Sequence, residues 1–467
     1  MTVPQTPLLS EVARPAGPLP SPVCPPGPRS RFPGEVMLRL RADVLGYLTR
    51  VCREFGDAVS LRAGGQRLYV FNDPDLIRDV LVTRDDCFIK GPALQRARET
   101  LGDGLLTSEG DFHRRQRRLA QPAFHPNRVG AYGAMMAQIT QRAAGGWHDG
   151  RRLELHDEMM KVTLRIVAKT LFDAEVEADL DSIGSAMNIA VGMFTRTMTP
   201  WGPLLNRLPL PSNFRFKRAR RRLFGIIDRF IREHRESGDH GDLLSVLIRA
   251  RDTEGDNSQM SSSLLRDESY TIFSAGHETT ANALTFALYL LARNPQAEAN
   301  LHAELDAALG GRAPEVGDLE NLPYTRMVIA EAMRLYPPAW ALGREATREV
   351  TIGPWTLPKG AVVLVSQWVT HRDARWYPQP ERFDPLRWTP EARAARPRWS
   401  YYPFGGGSRQ CIGESFAWME AILVLATIAQ NWRVELTDDQ PLEVFPTITL
   451  RPKRAVPVVL RKRTAAV

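Results

Sequence analysis

The reading of the chain turns on F-G-G-G-S-R-Q-C-I-G, Phe404 to Gly413. One cysteine, Cys411, sits where this glycine-rich loop passes into the apolar run S-F-A-W-M-E-A-I-L-V-L-A, Ser415 to Ala426, which reads as a helix. Gly405, Gly406 and Gly407 carry no Cβ, so the backbone there can pass close to something flat. A helix N-terminus just beyond Cys411 directs unpaired N–H groups at the sulfur and favours its thiolate. Arg409 adds a positive charge that can reach an anionic ligand group. Taken alone, the loop reads first as a buried structural cysteine, a common feature of protein cores.

The spacing is more specific than the cysteine. F-x-x-G-x-R-x-C-x-G resembles the haem-binding loop of the cytochrome P-450 superfamily, and every fixed position is met. The resemblance implies that Cys411 is the axial thiolate ligand of a haem b iron and that Arg409 pairs with a haem propionate. It implies further that Phe404 packs near the sulfur, and that Gly407 and Gly413 allow the turn and the close approach.

Three other stretches stand in the family's order. In G-D-F-H-R-R-Q-R-R-L-A-Q-P-A-F, Gly110 to Phe124, His113 and Arg117 lie four apart on one helix face. The family carries a W-x-x-x-R pair for a propionate here, and His113 takes the tryptophan position; either residue can donate to a carboxylate. The longest helical pattern starts at caps among Ser261 to Ser263 and stops at Asn294-Pro295, roughly 45 Å for about thirty residues. Its apolar middle holds A-G-H-E-T-T, Ala275 to Thr280, whose glycine, acid and threonines cost stability in a buried helix. By resemblance this is the oxygen-binding helix. Gly276 makes room for dioxygen, Thr279 hydrogen-bonds it or a water, and Glu278 relays protons inward.

The third stretch, E-A-M-R-L-Y-P-P, puts Glu331 and Arg334 one turn apart on a helix from Leu322-Pro323 that must end at Pro337-Pro338. The family's buried E-x-x-R pair is joined by an arginine of F-x-P-x-R, here Arg387 of F-D-P-L-R-W. A-W-A-L-G-R-E-A, Ala339 to Ala346, reads as a strand, and Arg344 matches a further propionate-binding arginine. Pro446 to Leu450 resembles the turn that dips into the substrate pocket.

Elsewhere, residues 57–72 read as two strands about a Gly64-Gly65 turn, and Asp73-Pro74 opens a short helix. Residues 88–108 show little periodicity and read as a long loop. Helical patterning fills 130–250 except at T-M-T-P-W-G-P-L-L-N-R-L-P-L-P, Thr197 to Pro211, expected as an apolar loop over the substrate entrance or against a membrane. Two small hairpins are expected in E-V-T-I-G-P-W-T-L-P-K-G-A-V-V-L-V-S.

Composition is that of a globular protein, 43% hydrophobic and 24% charged across 467 residues. Cys24, Cys52, Cys87 and Cys411 are too few and scattered for a disulfide framework or zinc site, so a reducing cytoplasm is the expected compartment. The net charge of +8 is spread along the chain, and K-R-A-R-R-R, Lys217 to Arg222, reads as a solvated helix face rather than a nucleic-acid site. Residues 1–34 are proline-rich and expected to be poorly ordered, with no apolar run long enough for a membrane anchor. Residues 35–467 then form one domain.

The expected fold is mainly α with small β-sheets, a triangular helical domain with a minor β-rich lobe, as the resemblance implies. The implied reaction is monooxygenation with O2. As the chain ends soon after the haem helix, ferredoxin and ferredoxin reductase are the expected electron donors. The candidate pocket, Leu94, Leu105, Ile272, Ala275, Ala339, Leu342 and Ile448, is nearly all apolar and suits a hydrophobic substrate. H-R-R-Q-R-R-L-A-Q-P-A-F and R-L-Y-P-P-A-W-A-L resemble bacterial terpene-oxidising members; fatty-acid and carotenoid hydroxylases share parts of both. Glu278-Thr279 argues against a peroxygenase. A non-catalytic haem sensor is the alternative of another class.

Overall fold

The computed structural model describes residues 24–63, 66–197, 202–252 and 259–463. The expected Gly64-Gly65 turn and most of the proline-rich start lie outside them. Strands β1 (Ala58–Ala63) and β2 (Gln66–Phe71) pair antiparallel, Ala58 opposite Phe71. The carbonyls of Pro25 and Pro26 accept from the Ser60 side chain and N–H, fastening the chain before β1 to that strand.

Two segments expected as loops are structured. Residues 88–108 contain β3 (Phe88–Lys90) and helix α1 (Pro92–Leu101). Pro92 sits in the first turn, where it needs no donor, and Leu94, Ala97 and Leu101 supply a one-sided apolar period that the intervening arginines obscure. Helix α2 (Gly110–Ala120) follows, then α3 (Pro126–Gly145), α4 (Leu155–Phe172) and α5 (Leu180–Thr197). The expected loop from Thr197 contains a short helix α6 (Gly202–Arg207), again with proline in its first turn, before α7 (Pro211–Ser237); residues 198–201 lie outside the described ones.

Helix α8 (Ser262–Ala292) is 31 residues long. The Ser261 hydroxyl caps it by accepting from Leu264 N–H, and the helix stops ahead of Pro295. It packs on α4 and on α7 through a core that includes Phe172, Phe230 and Phe273. Helix α9 (Pro323–Leu335) ends before Pro337-Pro338 as expected. After it, β4 (Leu342–Ala346) and β5 (Val362–Val365) complete a five-stranded sheet in the order β1-β2-β5-β4-β3. Only one of the two expected hairpins forms, Val350–Ile352 with Trp355–Leu357. Val362–Val365 joins the large sheet instead, parallel to β2, because Val363 and Val365 find a fully buried face there. Helix α10 (Glu414–Asn431) starts three residues after Cys411 and packs on α3, α8 and α9. Strands β6 (Val444–Pro446) and β7 (Leu450–Pro452) form a hairpin whose connecting turn is tied to the segment before β4 by Trp340 Nε1–H donating to Thr447 O, 3.0 Å, and Leu450 N–H to Pro338 O, 2.8 Å. The mainly α architecture with small sheets is therefore as the sequence predicts, and Arg409 ties the Phe404–Gly413 loop to β3, which pairs with β4.

Candidate functional site

Cys411 is held by its loop rather than by its side chain. Its N–H donates to Phe404 O at 3.0 Å, and the Phe404 ring lies tilted by 51° against Trp418 of α10, ring centroids 5.9 Å apart. Cys411 is exposed, as is Ser415 in the first turn of α10, whereas Phe416 beyond it is buried. Protein atoms crowding the residue push its thiol up, with the Gly413 N–H pulling the other way, Glu414 adding to the rise and Arg117 opposing it more weakly. The helix N-terminus therefore acts in the expected direction but does not outweigh desolvation in the protein alone.

The glycines serve the chain's own packing first. A Cβ on Gly407, whose φ is +69°, would lie 1.9 Å from Leu81 O; one on Gly406 would lie 2.4 Å from the Trp399 ring. The flat group approached at Gly406 is thus an indole. At Gly413 a Cβ would meet nothing nearer than Phe124 at 3.8 Å, so protein packing alone does not demand glycine there. Likewise Gly276 lets α4 approach α8: a Cβ would sit 3.2 Å from Val167 Cγ2.

His113, Arg344 and Arg409 gather with a residue the sequence reading did not single out, Lys90. The Lys90 ammonium is 5% exposed and donates to the carbonyls of Leu105, 2.9 Å, and Ser108, 2.6 Å, with His113 Nδ1 at 3.4 Å. Burial lowers it to about 7, Glu109 opposing this and Arg409 and Arg344 adding to it. His113 is lowered to about 4, by burial and then by Lys90 and Arg409, so it is neutral. With Nδ1 facing the Lys90 donor, the network assigns the proton to Nε2, which is buried without a partner. Arg344 is lowered to about 10 by burial and by Arg409, and its Nε is also buried without a partner. Arg409 donates to Phe88 O at 2.7 Å and pairs with Glu109 at 2.9 Å, while its Nε is unpartnered. Arg117 donates to Gln410 O at 2.6 Å, bracing the cysteine loop.

These residues fit a haem. Three buried donors, His113 Nε2, Arg344 Nε and Arg409 Nε, lack acceptors, and the charges of Lys90, Arg344 and Arg409 are opposed chiefly by Glu109, with Glu268 acting more weakly on Lys90 and Asp85 on Arg344. A group bearing two carboxylates would answer both deficits. A lone exposed thiol nearby is the donor that an iron porphyrin would take. On α8, Ala275 is exposed and Ser274, Gly276 and Thr279 are half-buried, between a buried run at 268–273 and another at 280–291, so open space lies against that turn.

Thr279 Oγ1 donates back to Ala275 O at 2.9 Å, leaving its lone pairs toward that space. Glu278 is buried and accepts from Thr449 Oγ1 at 2.5 Å and from the Arg451 guanidinium at 2.7 Å. Burial raises its carboxyl, but Arg451 and Thr449 outweigh that and hold it below the ordinary value. Arg451 also donates to Asn188 Oδ1 of α5 at 3.1 Å. Neither Thr449 nor Arg451 was legible as a partner, because both come from the far C-terminal hairpin.

Under the site, Arg334 Nε and a terminal nitrogen each reach Glu331 at 2.8 Å, with both side chains fully buried. The remaining Arg334 donors go to the carbonyls of His371, Pro380 and Arg382. Arg387 completes the expected trio 3.4 Å from Glu331. Two further donors were missed: Trp388 Nε1–H reaches the same carboxylate at 2.9 Å and Asp384 N–H at 3.0 Å.

Of the expected pocket residues, Ala275 is exposed and Leu94, Ala339, Leu342 and Ile448 are half-buried. Ile272 is buried in the helical core, and Leu105 is buried with its carbonyl committed to Lys90.

Residues 25–458 match the family model described as Cytochrome P450. The chain is similar to Cyclooctatin synthase of Streptomyces melanosporofaciens, 42% identical with 86% of this chain and 88% of the relative covered. It is also similar to Cyclooctat-9-en-7-ol 5-monooxygenase of the same organism, 42% identical over 81% and 83%. Pentalenene oxygenase of Streptomyces avermitilis is 36% identical over 88% and 91%. Among solved structures, the heme domain of cytochrome P450DA superposes with a TM-score of 0.85 at 27% identity, covering 95% of this chain and 98% of the other.

Proposed function

Because the chain belongs to the cytochrome P450 family and is a haem-dependent monooxygenase, we propose that its substrate is a terpene and its electron donor a ferredoxin served by a ferredoxin reductase. The likeness to terpene-oxidising relatives at 36–42% identity carries the substrate reading. The exposed or half-buried apolar positions Ala275, Leu342 and Ile448 agree with it, since they offer a hydrocarbon contact area and no charge. No helix among the described residues is long and apolar enough to cross a membrane, and we place the enzyme in the cytoplasm.

Haem, ligated by Cys411, supplies the iron chemistry that activates dioxygen. His113, Arg344 and Arg409 hold its propionates, with Arg117 stiffening the loop that presents the sulfur. Phe404 seats that loop on Trp418, and Gly413 leaves the ring room. Across the site, the open turn at Ala275, Gly276 and Thr279 would leave room for dioxygen, and Thr279 Oγ1 would accept a hydrogen bond from a water there while its own O–H stays directed at Ala275 O. Glu278 is the acid that takes protons from the outer side. Arg451 keeps it ionised and therefore able to accept them.

A spin-shift titration of the purified enzyme with terpenes, fatty acids and carotenoids tests the substrate, followed by NADH-driven turnover with a ferredoxin system. Terpene binding with a hydroxylated product is the expected result. Turnover confined to fatty acids or carotenoids would overturn the substrate reading. Bound haem with no donor-driven oxygen uptake would overturn the electron-donor reading.

A further inference from the structure

Glu268 is a fully buried carboxyl on α8 for which the described residues supply no partner. Neither of its oxygens makes a hydrogen bond, and the Thr271 hydroxyl one turn on is also buried without a partner. The cation that acts on it, Lys90, is already committed: its ammonium donates to the carbonyls of Leu105 and Ser108 and faces His113 Nδ1. Burial pushes the Glu268 carboxyl up to about 8, against the opposing pull of Leu105 N–H and Lys90 and with Asp267 adding to the rise. It is therefore protonated and uncharged at neutral pH. A buried acid and hydroxyl without partners cost stability that a bound polar group would recover.

Position on the helix connects Glu268 to the site. At about 100° per residue, Ala275 and Thr279 lie within about 20° of its direction around the axis. Ala275 is about 10 Å further along, at the turn that meets open space. On the outer side, the chain at 102–105 closes over this part of α8. Asp103 N–H donates to Asp267 at 3.0 Å, and a Cβ on Gly104 would run into Thr271 Oγ1. A molecule lying along this face reaches the acid with one end and the open turn with the other.

We propose that Glu268 and Thr271 form a hydroxyl-binding subsite, and that the substrate is a terpene alcohol rather than a terpene hydrocarbon. The proposal rests on the terpene reading above and narrows it. A protonated carboxyl offers one donor and one acceptor, and an alcohol can satisfy both. An ammonium group would call for an ionised acid instead. Anchoring the hydroxyl at Glu268 also fixes which part of the skeleton lies beside Thr279.

Spin-shift titrations of the full-length, haem-loaded protein compare cyclic terpene hydrocarbons with their mono-alcohols, cedrene with cedrol as the first pair. In the parent, alcohols should bind at least about tenfold more tightly than their hydrocarbons. Glu268→Leu removes donor and acceptor at similar size, and should erase that preference while hydrocarbon affinity holds. Glu268→Gln keeps a donor and an acceptor, and should retain most of it. The haem-free Glu268→Leu protein should melt no lower than the parent, since it loses an unpaired buried acid. Melting well below the parent would mark the carboxyl as structural and overturn the proposal. Equal affinity for alcohols and hydrocarbons across the panel, or a preference that survives Glu268→Leu, would overturn it and leave the terpene reading standing. So would a Gln variant as indifferent as the Leu variant. Spin shifts with fatty acids or carotenoids and with no terpene would overturn both.

Discussion

Glu278 and Arg451 lie 173 residues apart in sequence and meet at 2.7 Å inside the protein, one from the middle of the longest helix and one from the C-terminal hairpin. The pair keeps a buried carboxylate charged next to the threonine assigned to oxygen chemistry, and Arg451 also reaches Asn188 on α5. Without the guanidinium, burial alone would push Glu278 toward the protonated form.

Arg451→Met should therefore move the acidic limb of kcat/KM upward in pH, since Glu278 would protonate nearer neutrality. In the parent, its carboxyl lies below the unfolded value. The pair's stabilising contribution is then present above about pH 4.5 and lost as pH falls through the lowered folded value. In the variant burial holds the folded carboxyl above its unfolded value, so the acid-side loss should disappear and stability should instead fall as pH rises through the raised value. A pH–rate profile with thermal melts at several pH values reads both.

Thr279→Ala should keep haem and fold, because Thr279 Oγ1 bonds only to a carbonyl one turn back. The share of NADH ending in product should fall by about tenfold or more, with the electrons recovered as peroxide. Thr279→Ser should retain most of the coupling. Product and peroxide counted per NADH consumed decide the matter.

Glu331→Gln should be costly, about 3–5 kcal/mol, by leaving the fully buried Arg334 and nearby Arg387 without their carboxylate. Trp388→Phe should cost less, about 1.5–3 kcal/mol, the size of one hydrogen bond to a charged group. Denaturant melts and haem content of the two purified variants measure the order.

Lys90 is a buried cation whose charge the haem-free protein tolerates poorly. Its ammonium is lowered to about 7, against 10.5 in the unfolded chain, so between those values the unfolded state holds more protons and stability rises with pH. Below pH 7 the full penalty applies. Lys90→Met should raise the haem-free Tm at pH 6 by about 2 °C or more, and the gain should shrink toward pH 10. Bound haem, through its propionates, should reduce it as well. Scanning calorimetry with and without haem distinguishes these cases.

Local patterns carried much of this into view from the sequence. The capped, uninterrupted apolar run of α8, the Pro323 start and Pro337 stop of α9, and the Cys411 loop are short-range signals, and each lies where its residues indicate. What stayed hidden depends on distant partners. Lys90 looks like an ordinary lysine in F-I-K-G until β3 pairs with β4 and brings Arg344 beside it. Arg451 alternates in T-I-T-L-R like any solvent-facing strand residue, and only the hairpin's approach to α8 gives it Glu278. The α1 helix escaped notice because arginines break up its apolar period. The second hairpin does not form because Val362–Val365 is paired on both sides, with β2 and β4, where Val363 and Val365 are fully buried.

The central claim is that the Cys411 sulfur holds the iron. The carbon monoxide complex of the reduced, haem-loaded enzyme measures this directly. A strongly red-shifted Soret band is predicted for the parent. Cys411→His should lose that band while His113, Arg344 and Arg409 still retain the porphyrin. A parent complex without the red-shifted band, or a Cys411→His variant that keeps it, would contradict the assignment.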